Sequence, residues 1–171
     1  MSGPKQEVYS RRSRLSAARL CAVQALYLTE FTDRPLTDVL SDFLNDRLGG
    51  SALQEDGEKE QPTPLVPPDP TVFTALVRGT VDAKAAIDAT INASLDGERT
   101  TARLEAILTS ILRVGVFEMI HCPDVPPKVV ISEYVDIAHA FFGGPEPKLV
   151  NAVLDRVAKS VRADELSAGG A

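Results

Sequence analysis

Cysteine is scarce in this sequence: Cys21 and Cys122 are the only two among 171 residues, too few to staple a disulfide scaffold. Long apolar runs are missing as well. None approaches the roughly 20 residues that a membrane-spanning helix needs, so no membrane partner is expected. The stretch Met1 to Ser10 lacks the apolar core of a secretory signal peptide. These absences predict a cytoplasmic, reducing setting. What is present is ordinary for a globular protein. Hydrophobic residues make up 44% and charged residues 25%, which argues against wholesale disorder, and 171 residues suit one compact domain.

Positive charge is in deficit overall, yet it is concentrated at one end. The net charge is −6. Residues 1 to 19 nevertheless hold Lys5, Arg11, Arg12, Arg14 and Arg19 against Glu7 alone, a local +4, so the remainder carries −10. An acidic chain therefore has a basic arm, placed over residues 1–12 and running into the first helix.

No convincing alternation of apolar and polar residues occurs, whereas apolar residues recur at steps of three and four almost throughout, so the expected fold is all-α. A first helix should start between Ser10 and Ser13 and end near Phe31, with Leu15, Ala18, Ala22, Ala25, Leu26 and Thr29 on one face. A second runs from Pro35 to Leu48 and stops at Gly49-Gly50. Residues 49–69 hold Glu55, Asp56, Glu58 and Glu60, then Pro62, Pro64, Pro67 and Pro68, and read as a flexible insert. Asp69-Pro70 restarts helix as cap and first position, and one long helix is expected up to Asp96-Gly97. From about Thr100 to Ile120 a helix apolar nearly all round should form the centre of the core. Two more follow, Val130 to Phe141 and Leu149 to Val161. The helical domain is thus placed over 13–162, with 163–171 a disordered tail.

Catalytic groups are thin. His121, Cys122, His139 and Cys21 show no metal-ligand spacing, no nucleotide-binding glycine loop is present, and the acidic pairs Asp42 with Asp46 and Glu133 with Asp136 read as solvated faces. The expectation is no enzyme, no cofactor and no metal. The arm is the remaining lead. Arg11, Arg12, Arg14 and Arg19 project guanidinium forks that can grip phosphates and stack on exposed bases, and Lys148 adds a cation beside the Gly143-Gly144 loop.

Four segments then carry a family likeness. Ala18-Arg19-Leu20-Cys21-Ala22-Val23-Gln24-Ala25-Leu26-Tyr27 resembles the opening helix of the bacterial transcription antitermination factor NusB family, in which an arginine-rich start runs into AVQALY. Ile111 to Met119 resembles that family's LRxALYEL helix, Asp124 to Glu133 its DVPxKVAINE, and Lys148 to Asp155 its KFVNGVLD. The order agrees, and the four together span most of the chain outside residues 40 to 70. Departures from the family are Leu15-Ser16-Ala17 where basic residues are usual, Leu149 in place of an aromatic, and Gly144-Pro145-Glu146-Pro147 in place of an acidic loop.

The resemblance implies a helical bundle of six or seven helices without catalysis. It implies binding of the boxA element of ribosomal RNA leader transcripts, and a partner, the small-subunit ribosomal protein NusE, within the RNA polymerase antitermination complex. Candidate RNA contacts are then Arg11, Arg12, Arg14, Arg19, Lys148 and Asn151, with a structural role at a helix start equally open for Asn151. Candidate NusE contacts are Tyr27, Phe117 and Glu118, although Phe117 also fits a core position. Two other functions are compatible with such a domain: an accessory domain of a ribosomal RNA cytosine methyltransferase, and a protein-interaction module without RNA binding, for instance a homodimer that covers its own basic surface.

Overall fold

The computed structural model describes residues 9–45, 66–97 and 99–168, and among them there is no strand. Among the described residues eight α-helices follow one another: α1 Arg11–Phe31, α2 Leu36–Asn45, α3 Pro70–Asp82, α4 Lys84–Ser94, α5 Ala106–His121, α6 Pro127–Phe141, α7 Glu146–Val161 and α8 Ala163–Ala168. A 3-10 turn, Thr101–Arg103, precedes α5.

Local chemistry sets the helix starts. The Ser10 side chain accepts a hydrogen bond from the Ser13 amide at 3.1 Å and opens α1. Asp69 does the same for α3, with Oδ1 accepting from the Thr71 and Val72 amides at 3.0 Å each and Pro70 in the first turn. An Asp69→Ala variant should lose about 1 kcal/mol in denaturant unfolding, since two amides would lack their acceptor. An unchanged midpoint would show that water replaces the cap at no cost.

The centre of the bundle is α5. Its residues from Leu108 to Val116 are all buried, together with Glu118 and Met119. It packs against α1, α3, α4, α6 and α7, which explains why its sequence is apolar on every side. Ser110 and Thr109 are tolerated there because their hydroxyls donate to the Ala106 and Glu105 carbonyls at 3.0 and 3.1 Å.

Several expectations are corrected. The single long helix from residue 70 to 95 is two helices, divided at Ala83. Thr80 donates to the Leu76 carbonyl at 2.6 Å, a bond that favours bending. Lys84, the polar lapse in the stripe, meets Glu30 of α1 at 3.3 Å. After the division, Ile87 and Ile91 remain buried. The core helix starts at Ala106, not near Thr100, after an extended Glu105. Residues 163–168 of the supposed disordered tail form α8. The buried Arg162 holds that end, donating to the Val125 and Pro123 carbonyls at 2.6 and 2.9 Å and to Glu165 at 2.6 and 2.8 Å. Most of the supposed insert, like residues 46–48 of the second helix, lies outside the described residues. Its last part is bonded to the domain: Pro68 is buried, and the Asp69 amide donates to the Arg14 carbonyl at 3.1 Å.

Candidate nucleic-acid and partner interfaces

The N-terminal end of α1 presents the basic cluster. Arg11 and Arg12 are exposed, Arg14 is half-buried, and all three sit in the first turn of the helix, where unpaired amides and the helix dipole already favour anions. This end is anchored on two sides. The Arg14 carbonyl bonds the entry to α3, and the Ser16 hydroxyl donates to Glu133 of α6 at 2.9 Å.

Arg19 belongs to the core. It is 3% exposed, and its Nε and Nη2 bond the Glu118 carboxylate at 2.7 to 3.0 Å. The Tyr134 hydroxyl donates to the same carboxylate at 2.6 Å, and Glu133 lies 3.6 Å from Arg19 Nη1. Glu118 is only 2% exposed, so its two oxygens are fully used inside the protein. Burial works against the Arg19 charge, but the hydrogen bonds and charge of Glu118 outweigh it and raise the guanidinium's pKa. Burial, reinforced by the charge of Glu118, pushes the Tyr134 hydroxyl well above its usual range, which keeps it a donor.

This arrangement corrects three readings. Arg19 is not on a surface that could meet phosphate, Glu118 is not on one that could meet a partner, and Glu133 is not a merely solvated carboxylate. The reason is the same for all three: the side chains neutralise one another where α1, α5 and α6 meet.

The aromatic candidates keep some surface. Tyr27 is half-buried and stacks on Phe31 with ring centroids 4.7 Å apart, and Phe31 is 58% exposed. Phe117 is also half-buried. Its ring stacks on His121 at 4.9 Å and lies so close to α3 that a Cβ at Gly79 would sit 2.1 Å from it. Only glycine lets α3 approach that ring.

Lys148 and Asn151 are exposed on α7, and Asn151 stands in the second turn, too far in to cap the helix. With Lys128, Ile131, Ser132, Val135 and His139 of α6, and with Gly144 and Pro147, they line a groove of about 580 Å³. Lys128, Ser132 and His139 were not among the sequence candidates. Their spacing on one face of α6 was a readable signal, but it is also that of any solvated helix face. Glu133, bonded by Ser16, is the chain neighbour of Ser132, so α6 joins the base of the arm to this groove.

The other clusters are structural. Arg113 binds Asp88 with two bonds of 2.7 and 2.9 Å and also meets Glu30, tying α5 to α4 and α1. A second groove, between α4 and α7, contains Arg156, which is committed to Asp96 and the Ser94 carbonyl. Among the described residues no group of His, Cys, Asp or Glu could hold a metal ion, and no helix is long and apolar enough to cross a membrane. Burial pushes the Cys21 thiol up to about 11 and raises that of Cys122, so neither is primed as a nucleophile.

A model of the NusB family matches residues 16–159. The transcription antitermination protein NusB of Rhodospirillum rubrum is 44% identical over 176 aligned residues, covering 98% of this chain and 95% of the relative. That of Rhodopseudomonas palustris is 40% identical, covering 97% and 92%. Among solved structures, the NusB of T. maritima superposes with a TM-score of 0.70 at 24% identity, covering 94% of this chain and 99% of that one. A complex of the antitermination factors NusB and NusE with double-stranded RNA gives 0.68 at 22%, with 88% and 99% covered.

Proposed function

The chain belongs to the NusB family, and from that premise we propose that it is a transcription antitermination factor that binds boxA RNA of ribosomal leader transcripts together with NusE. The observation that carries this reading is its 40–44% identity, over nearly the whole chain, with proteins named for transcription antitermination. The bound RNA and NusE in a structural relative of the same fold support it. In this reading the protein works in the cytoplasm as part of an RNA polymerase antitermination complex and performs no catalysis of its own.

In this reading the labour is divided. Arg11, Arg12 and Arg14 on the exposed end of α1, with Lys148 and Asn151 on α7, are the RNA contacts. Tyr27 and Phe117, aromatics that are only half-buried, are the anchors for NusE, since such rings bury large area at low entropic cost. Arg19 and Glu118 act one step back: their buried pair fixes α1 against α5 and so sets where the arginine arm points.

Binding of purified protein to boxA RNA and to a scrambled RNA, with and without NusE and at two salt concentrations, tests the reading. The expected result is preferential binding of boxA that tightens when NusE is added and weakens as salt rises. Equal affinity for both RNAs in the presence of NusE would overturn it.

A further inference from the structure

The groove between α6 and α7 has a chemistry that phosphate contact does not account for. Its deeper parts are aliphatic: Pro147 is buried, and Ile131 and Val135 are half-buried. Its rim is polar and exposed, with Ser132 from α6, Asn151 from α7 and a lysine contributed by each helix, Lys128 and Lys148. None of these four side chains has a hydrogen-bond or ion-pair partner among the described residues, and no carboxylate lines the groove. The nearest acid, Glu146, lies behind Gly144 with its Oε2 buried, and the two free lysines at the rim of an apolar cleft still mark a place for an anion with an apolar part.

A nucleotide is such a ligand. Its base has flat faces that gain from leaving water, an edge of donors and acceptors, and a phosphate on either side. The groove, of about 580 Å³, is open along its length, so a base can lie in it with one side still in water. The residues from Lys128 to His139 span about 16 Å of α6 at the helical rise, more than one base needs, so the strand can enter and leave along the same face. The amide of Asn151 offers one donor and one acceptor side by side, the complement of the N6 and N7 edge of adenine.

We infer that this groove takes one unstacked adenine of the bound RNA, its ring against Ile131, Val135 and Pro147 and its edge read by Asn151. Lys128 and Lys148 meet the flanking phosphates. The assignment rests on the RNA-binding reading above and adds to it a residue that discriminates between bases. Single-stranded RNA is commonly recognised in this way, by turning a base out of the stack.

The test uses the full chain with NusE and a boxA RNA in which each adenosine is replaced in turn by purine riboside, which lacks the N6 amino group. With the wild-type protein one position should lose about tenfold in affinity, the effect of one good bidentate contact. With Asn151→Ala that position should lose nothing further, while Lys128→Ala should weaken every RNA alike. A Ser132→Trp variant, which fills the groove from an exposed position, should also abolish the discrimination. Absence of any sensitive adenosine, or an Asn151→Ala loss equal for all the RNAs, would overturn the inference while leaving RNA binding intact. Failure of the wild-type protein to prefer boxA would instead remove the reading on which it rests.

Discussion

A Glu118→Lys protein should fail as a folded molecule, not as a binding partner. The substitution would place an ammonium against Arg19 at a site where the two residues are 2% and 3% exposed, and would remove the acceptor of Tyr134. Breaking a buried pair by removing one member costs about 3–5 kcal/mol, and the added like charge raises that figure. Total stability of a domain is about 5–15 kcal/mol, so most of it is at stake. A melting curve should show a fall in Tm of roughly 10 °C or more, or loss of the cooperative transition. A variant melting within a few degrees of the parent would show that the site admits water and that Glu118 is more accessible than its burial indicates. A simultaneous Arg19→Met, Glu118→Leu and Tyr134→Phe replacement removes the three buried polar groups, leaves the more exposed Glu133 with Ser16, and should recover most of the loss.

The arginine arm should behave in the opposite way, with binding lost and fold kept. Replacing Arg11, Arg12 and Arg14 by alanine touches no side chain in the core, and the carbonyl of residue 14 can still accept from Asp69. If each guanidinium neutralises one phosphate of a single strand, each contributes about 0.7 to the slope of log affinity against log salt. The triple variant should therefore flatten that slope by about 2 and weaken boxA binding on the order of a hundredfold at low salt. Fluorescence anisotropy across a salt series reads both quantities. An unchanged slope would take the arm out of the RNA site.

The contrast between these two predictions shows what one sequence can and cannot reveal. Caps and stops are local, so Asp69 was legible as a helix start from the residues that follow it, and the start of α1 was legible to within Ser10 to Ser13. The wholly apolar α5 was legible as the centre for the same reason. Arg19 was not, because its fate depends on a carboxylate 99 residues away, and at helical spacing it looks like any member of the arm. The division at Ala83 was hidden because the apolar stripe runs on through it: Ile87 and Ile91 still face the core. The α6–α7 groove was hidden in a third way. Lys128, Ser132 and His139 become a site only when α7 lies beside them, and nothing in α6 alone distinguishes that face from one that meets water.

Arg162 has a consequence for anyone trimming this protein. The family match ends at residue 159, a natural place to cut a minimal fragment. Such a fragment would lose the guanidinium that bonds the Pro123 and Val125 carbonyls, and with it the tie between the end of α7 and the loop entering α6. Cutting at 16 would also remove the Ser10 cap and the arginines it presents. A piece that keeps the Ser10 cap and the Arg162 bonds runs from Ser10 through the end of α8 at Ala168, wider at both ends than the stretch the family model matches.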